Sequence, residues 1–154
     1  VKNDVPNIKL TIIGDLREEN KQIIKNLDLG KNIEFKNKLS RLKLIETLNN
    51  SDIGISGSLY EGFGFPIVEM ISTGLPVITS NKGSLPELAG DAGLVFEATS
   101  SSDLADKIKN VIDQNDLRQK LINNARNRRD DFFGWAEYAK RLEIVYQKII
   151  HGNI

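Results

Sequence analysis

The residues best placed to do chemistry in this chain lie in one stretch, Ser56-Gly57-Ser58-Leu59-Tyr60-Glu61-Gly62-Phe63-Gly64-Phe65-Pro66-Ile67-Val68-Glu69-Met70. Two carboxylates, Glu61 and Glu69, bracket a pair of glycines and a proline. Pro66 suits the first turn of a helix, where its missing N–H would have had no partner. The spacing therefore predicts a helix from about Phe65 through Glu69 to Thr73, ended by Gly74. Gly62 and Gly64 free the backbone to turn and let a ligand approach the main chain. A helix N-terminus behind such a loop offers unpaired N–H groups and the positive end of a dipole, which suits a phosphate or a hydroxyl. Carboxylates repel phosphate but accept hydrogen bonds from sugar and ribose O–H groups. The loop thus reads as a cradle for a nucleotide sugar, with amides for the diphosphate and glutamates for the hydroxyls. The alternative is that Glu61 caps the helix and Glu69 is a solvated helical charge.

Those residues need a frame, and the chain alternates β-rich runs with helix-period segments. Strands are expected at Lys9–Ile13, Ile33–Lys36, Ile53–Ser56, Pro76–Ser80 and Leu94–Phe96. Helices are expected over Glu18–Leu29, stopped by Gly30, and over Leu42–Leu48 behind Ser40 as N-cap. A short turn of helix is expected at Leu85–Ala89. Three more helices close the chain: one from Ser101 to about Asp113, one carrying Leu117, Leu121, Ile122 and Ala125, and one carrying Trp135, Tyr138, Leu142, Val145 and Ile149. Strands alternating with helices imply parallel pairing, hence a doubly wound, Rossmann-like α/β fold with helices on both faces of a five-stranded sheet. Residues 1–154 read as one domain. In the order 2-1-3-4-5 the ligand crevice lies beyond the strands ending at Ile13 and Ser56, beside Gly14 and the glycine-rich loop.

Composition narrows the classes. The 154 residues carry 21 basic and 21 acidic side chains, which argues against nucleic-acid binding. There is no cysteine and one histidine, His151 near the C-terminal end, so thiolate sites, a cysteine nucleophile and multi-histidine metal sites are excluded. No apolar run approaches the roughly 20 residues of a bilayer span, and nothing in these residues leads one to expect secretion or membrane insertion. The expected location is cytoplasmic. The cluster Arg126, Arg128 and Arg129, followed by Asp130 and Asp131, reads as a solvated face, the Trp135–Tyr138 pair as core, and Glu87 as a tie from its short helix to neighbouring backbone.

The stretch Glu61–Glu69 (EGFGFPIVE), followed by Gly74-Leu75-Pro76-Val77-Ile78, Gly83-Ser84-Leu85-Pro86-Glu87 and Gly90-Asp91-Ala92-Gly93, resembles the C-terminal, donor-binding half of family-four retaining glycosyltransferases of GT-B fold (glycosyl transferases group 1). Phe35-Lys36-Asn37-Lys38-Leu39 is similar to that family's short strand and base-contacting loop, with Asn37 where glycine is usual. Phe132-Phe133-Gly134-Trp135 is similar to the aromatic stretch that begins its last helix. The resemblance implies that Glu61, with Gly62, Phe63 and Gly64, holds the transferred sugar. It implies that Glu69 accepts from the ribose hydroxyls and that the segment Phe65, Pro66 and Ile67 faces the distal phosphate. Lys38 and Leu39 would lie against the base, and Gly14 would let the nucleotide pass the first strand. The implied reaction is metal-independent, retaining hexosyl transfer from a nucleoside-diphosphate sugar to a hydroxyl acceptor, in cell-surface polysaccharide or glycolipid synthesis, without a cofactor.

The resemblance also places a central strand, a basic loop and an acceptor-binding domain before this segment of chain. The expectation is a donor-binding half that needs an N-terminal domain or partner chain for turnover, with any peripheral membrane contact made through that part. Rival readings are a non-catalytic nucleotide-binding module, a flavodoxin-like interaction domain and a GT-B sugar-nucleotide epimerase. A dinucleotide oxidoreductase fits poorly, because Gly-x-Gly-x-x-Gly does not follow the first strand.

Overall fold

A computed structural model describes residues 1–132 and 134–152. Phe133, part of the aromatic stretch named above, lies outside the described residues. The elements run β1 (Leu10–Ile13), α1 (Glu18–Asn26), β2 (Ile33–Lys36), α2 (Arg41–Asn49), β3 (Gly54–Ser56), α3 (Phe65–Ser72), β4 (Val77–Ser80), α4 (Leu85–Ala89), β5 (Gly93–Phe96), α5 (Ser101–Asp113), α6 (Asn115–Arg128) and α7 (Trp135–Ile150). Strands and helices alternate as the periodicity requires, and every pairing is parallel. Two ends follow directly from side-chain chemistry. The Ser40 hydroxyl accepts from the Lys43 N–H at 3.4 Å to open α2, and the Ser100 hydroxyl accepts from the Asp103 N–H at 3.1 Å to open α5. Helix α1 stops at Asn26, short of the expected Leu29, where Asp28 turns left-handed at φ 49°.

The core sits around β4, whose four residues are all buried. Successive side chains of a strand point to opposite faces, and here each face meets its own helices. Val77 packs with Ile67 and Ile71 of α3, Leu85 and Ala89 of α4, and Ala125 of α6. Ile78 packs with Phe96, Val111 of α5 and Leu121 of α6. Helix α6 thus closes both clusters, through Ala125 on one side and Leu121 on the other. Fully burying such aliphatic side chains contributes about 1.5–3 kcal/mol each, so this half carries most of the stabilisation.

The strands do not close into one sheet. Among the described residues β1 pairs only with β2, and β3–β4–β5 form a separate sheet. The expected order holds within each piece and breaks at the β1/β3 junction, the position where the family resemblance puts a central strand. The physical reason lies in coverage. A parallel strand is stable when both faces are buried, yet Leu10 and Ile13 are 43% and 42% exposed and α1 buries no residue. At the other end, α7 also buries no residue, and Trp135 is 82% exposed. The Trp135–Tyr138 pair, rings 5.9 Å apart and edge-on, is therefore a surface feature and not core.

Candidate functional site

The site residues fall into two groups, both at carboxyl ends of strands. In the first, Gly14 follows β1 and its N–H donates to the Lys36 carbonyl at 3.1 Å, which binds the ends of β1 and β2 together. Lys38 and Leu39 lie just beyond, in the turn before α2. Lys38 is exposed and left-handed at φ 42°, a conformation uncommon for a side chain with a Cβ. The second group is the segment from Glu61 to Glu69. No hydrogen bond or ion pair among the described residues joins the two groups.

The second group is built by the end of β3, the start of α3 and the two segments that follow β4. Helix α3 opens at Phe65 with Pro66 in its first turn, as the sequence predicts. Its N-cap is Gly64, in the left-handed region at φ 100° and ψ 48°, with no side-chain cap. Glu61 is therefore not the helix cap. Ile67 is fully buried and anchors α3 to the core, so it holds the segment and does not present a side chain to solvent. Phe63 and Phe65 stand 48% and 64% exposed with their rings 4.9 Å apart.

Two serine hydroxyls hold the loop's carbonyls inward. Ser80, buried at the end of β4, donates to the Ser58 carbonyl at 2.6 Å. Ser84, just before α4, donates to the Phe63 carbonyl. Among the described residues, the amides of Gly62, Phe63, Gly64 and Phe65 have no intramolecular acceptor. The loop thus commits the carbonyls of Ser58, Phe63 and Gly64 to the protein and leaves unpartnered the amides of exposed Gly62, Phe63 and Phe65 and of buried Gly64, a polarity that suits an anion or hydroxyl oxygen. Glu61 is half-buried and Glu69 exposed, and among the described residues neither carboxylate has a hydrogen-bond or ion-pair partner. They are uncommitted acceptors beside uncommitted donors. Two shallow surface cavities lie elsewhere, one of about 360 Å³ along α7 and one of about 500 Å³ beside Asp91, Asn124 and Arg128.

Sequence reasoning missed three supporting residues. Ser80 and Ser84 carry the loop, and a buried strand ending in a polar residue is the signal that a partner carbonyl exists. Arg128 is the third, and it corrects the reading of the arginine cluster as a solvated face at that one position, Arg126 and Arg129 being exposed. Its guanidinium donates to the carbonyls of Leu88 at 2.8 Å and Glu87 at 2.6 Å, holding the end of α4. Glu87 takes part through that carbonyl, not through its side chain. Beside this region, the Asp103 carboxyl is held below its usual range, chiefly because it accepts from the Glu97 N–H at 2.7 Å, with Lys107 adding to the effect and partial burial opposing it.

Comparisons with known proteins agree with this architecture. The curated MMP alpha-(1->4)-mannosyltransferase of Mycolicibacterium hassiacum is 29% identical over 132 residues, 84% of this chain and 32% of its own length. The O-antigen chain mannosyltransferase B of Escherichia coli is 62% identical over 40 residues, 26% of this chain and 10% of its own length. The solved Anabaena protein Alr3699/HepE in complex with UDP superposes with a TM-score of 0.82 at 22% identity, over 93% of this chain and 42% of that one. The chain thus spans a third or less of these curated relatives. The family described as glycosyl transferases group 1 matches residues 1–128, and with the parallel α/β frame and the Glu61–Glu69 loop in place, the chain belongs to that family.

Proposed function

We propose that this chain is the donor-binding part of a retaining, metal-independent glycosyltransferase that uses a nucleoside-diphosphate sugar. The observation that carries the reading is the loop after β3, where the Ser58 and Phe63 carbonyls are bonded inward while, among the described residues, the Gly62–Phe65 amides and the Glu61 and Glu69 carboxylates have no partner. Glu61 with Gly62, Phe63 and Gly64 takes the sugar hydroxyls, Glu69 the ribose hydroxyls, and the start of α3 at Phe65–Ile67 the distal phosphate. Pro66 supplies geometry alone, having no N–H. Gly14, Lys38 and Leu39 line the path of the nucleotide base. In transfer, the bond from the sugar C1 to the phosphate oxygen breaks, a bond from C1 to an acceptor hydroxyl forms on the same face, and the acceptor proton leaves with the diphosphate. Negative charge grows on the departing diphosphate, and fixed amides aimed at that charge stabilise it without reorganising. The two mannosyltransferases reported above favour a hexose donor, and a role in surface-polysaccharide or glycolipid synthesis belongs to the same proposal. Cytoplasmic location, the absence of a cofactor and dependence on an acceptor-binding domain or partner belong to the same proposal.

Titration calorimetry with uridine, guanosine and adenosine diphosphates and their hexose derivatives, with and without a chelator, tests it. Glu69→Ala is expected to weaken every nucleotide through the ribose, and Glu61→Ala only the sugar-bearing ones. Each loss should be about tenfold, the scale of a charged hydrogen bond. Equal losses at both positions for plain diphosphates contradict the assignment. Turnover by the 154-residue chain alone contradicts its dependence on a further domain.

A further inference from the structure

We propose that Ser84 is a positioning residue for the donor loop: its hydroxyl fixes the Phe63–Gly64 peptide plane and so aims the Gly64 N–H at the ligand. The inference rests on the donor-site reading above for its ligand, but not for its geometry. By type and place, Ser84 looks like the cap of α4. It is not one: its backbone is helical, at φ −81° and ψ −5°, and its side chain makes no bond to its own helix. The hydroxyl reaches 21 residues back in sequence to the Phe63 carbonyl.

A trans peptide points its C=O and the following N–H in opposite directions. Drawing the Phe63 carbonyl onto Ser84 therefore turns the Gly64 N–H to the opposite side, where, in a buried residue, it has no intramolecular acceptor among the described residues. Gly64, left-handed at φ 100°, completes the turn. A Cβ there would lie 2.9 Å from Leu85 Cδ2 and 3.0 Å from Leu88 Cδ1, so the loop sits directly on the side chains of α4. Gly83 meets the Glu61 carbonyl on the same front, and Arg128 holds the rear of α4. The short helix is a rigid template against which the loop is shaped, and Ser84 is its single directional contact with the glycine turn among the described residues.

The test compares Ser84→Ala with Ser84→Thr, which keeps the hydroxyl, in the full chain without ligand. The amide order parameter of Gly64 is expected to fall from the rigid range of about 0.85 to below about 0.6 in Ser84→Ala and to stay rigid in Ser84→Thr. Val111→Ala, in the cluster on the opposite face of the sheet, lowers stability without touching the loop. A Gly64 amide that stays rigid in Ser84→Ala, or that loosens equally in Val111→Ala, overturns the proposal. Binding separates this inference from the one it rests on. Ser84→Ala is expected to weaken uridine and guanosine diphosphohexoses by about three- to tenfold, the range for one lost neutral hydrogen bond, with Ser84→Thr restoring them. A mobile Gly64 amide with unchanged diphosphohexose affinity overturns the positioning role of Ser84, whereas a parent chain that binds no diphosphohexose refutes the donor-site reading instead.

Discussion

Replacing Gly83 with alanine puts the loop–helix contact under a known load. Gly83 lies at φ 55°, and an added Cβ would meet the Glu61 carbonyl oxygen well inside the 3.0 Å that real Cβ atoms essentially never breach. The left-handed conformation costs an L-residue about 1–2 kcal/mol. Forcing an extra carbon into a packed contact costs about 1–3 kcal/mol more. The obstacle is backbone, so no side chain can rotate aside. The combined loss is about 2–5 kcal/mol, and at about 2–4 °C per kcal/mol for a chain of this size the melting temperature drops by about 10 °C. If the loop yields instead, Glu61 shifts with it, and the loss appears as weakened binding of nucleotide sugars. Thermal unfolding and calorimetric titration on one preparation read both channels. Gly62→Ala is the internal control: nothing lies within 4 Å of a Cβ there, the N–H is retained, and stability should change by no more than about 0.5 kcal/mol. A Gly83→Ala chain that melts within about 2 °C of the parent and binds nucleotide sugars equally well would show that α4 does not brace the loop.

Two further outcomes follow from contacts around α4 and α5. Arg128→Met removes both guanidinium bonds to the α4 carbonyls and should cost about 1.5–3 kcal/mol by denaturant titration, with Arg128→Lys restoring little because an ammonium lacks the planar fork. The folded Asp103 carboxyl sits below its ordinary value, so its contribution is complete above the unfolded value of about 3.9 and is lost as pH falls through the folded one. Melting curves of Asp103→Asn should therefore lie below the parent near neutral pH and converge with it under acid. A constant gap at every pH would exclude the charge as the cause.

Much of the frame was legible because it is local. The 3.6-residue stripes, the cap Ser40, the Ser101 start and Pro66 behind Gly64 each specify structure within a few residues, and α2, α5 and α3 begin accordingly. The candidate loop was legible for the same reason, since glycines, a proline and two glutamates all fall within nine positions. What escaped depends on distance along the chain. Arg128 looks solvated among neighbouring aspartates because its partners, the carbonyls of Leu88 and Glu87, lie 40 and 41 residues earlier. Ser84 carries no local signal because its partner, the Phe63 carbonyl, is 21 residues away. Trp135 looks like core because its helix is amphipathic, and an apolar stripe does not say whether anything in the same chain covers it. The break between β1 and β3 is non-local as well, set by which strand lies beside which.

That break has a bearing on affinity. A nucleotide lying against Gly14 and Lys38 at one end and the Glu61–Glu69 loop at the other would span a seam that no backbone ladder crosses among the described residues. Such a ligand becomes the strut between two panels, and part of its interaction energy goes into fixing their mutual orientation instead of appearing as tighter binding. Anything that stiffened the seam beforehand would return that share, raising affinity with no added contact to the nucleotide itself.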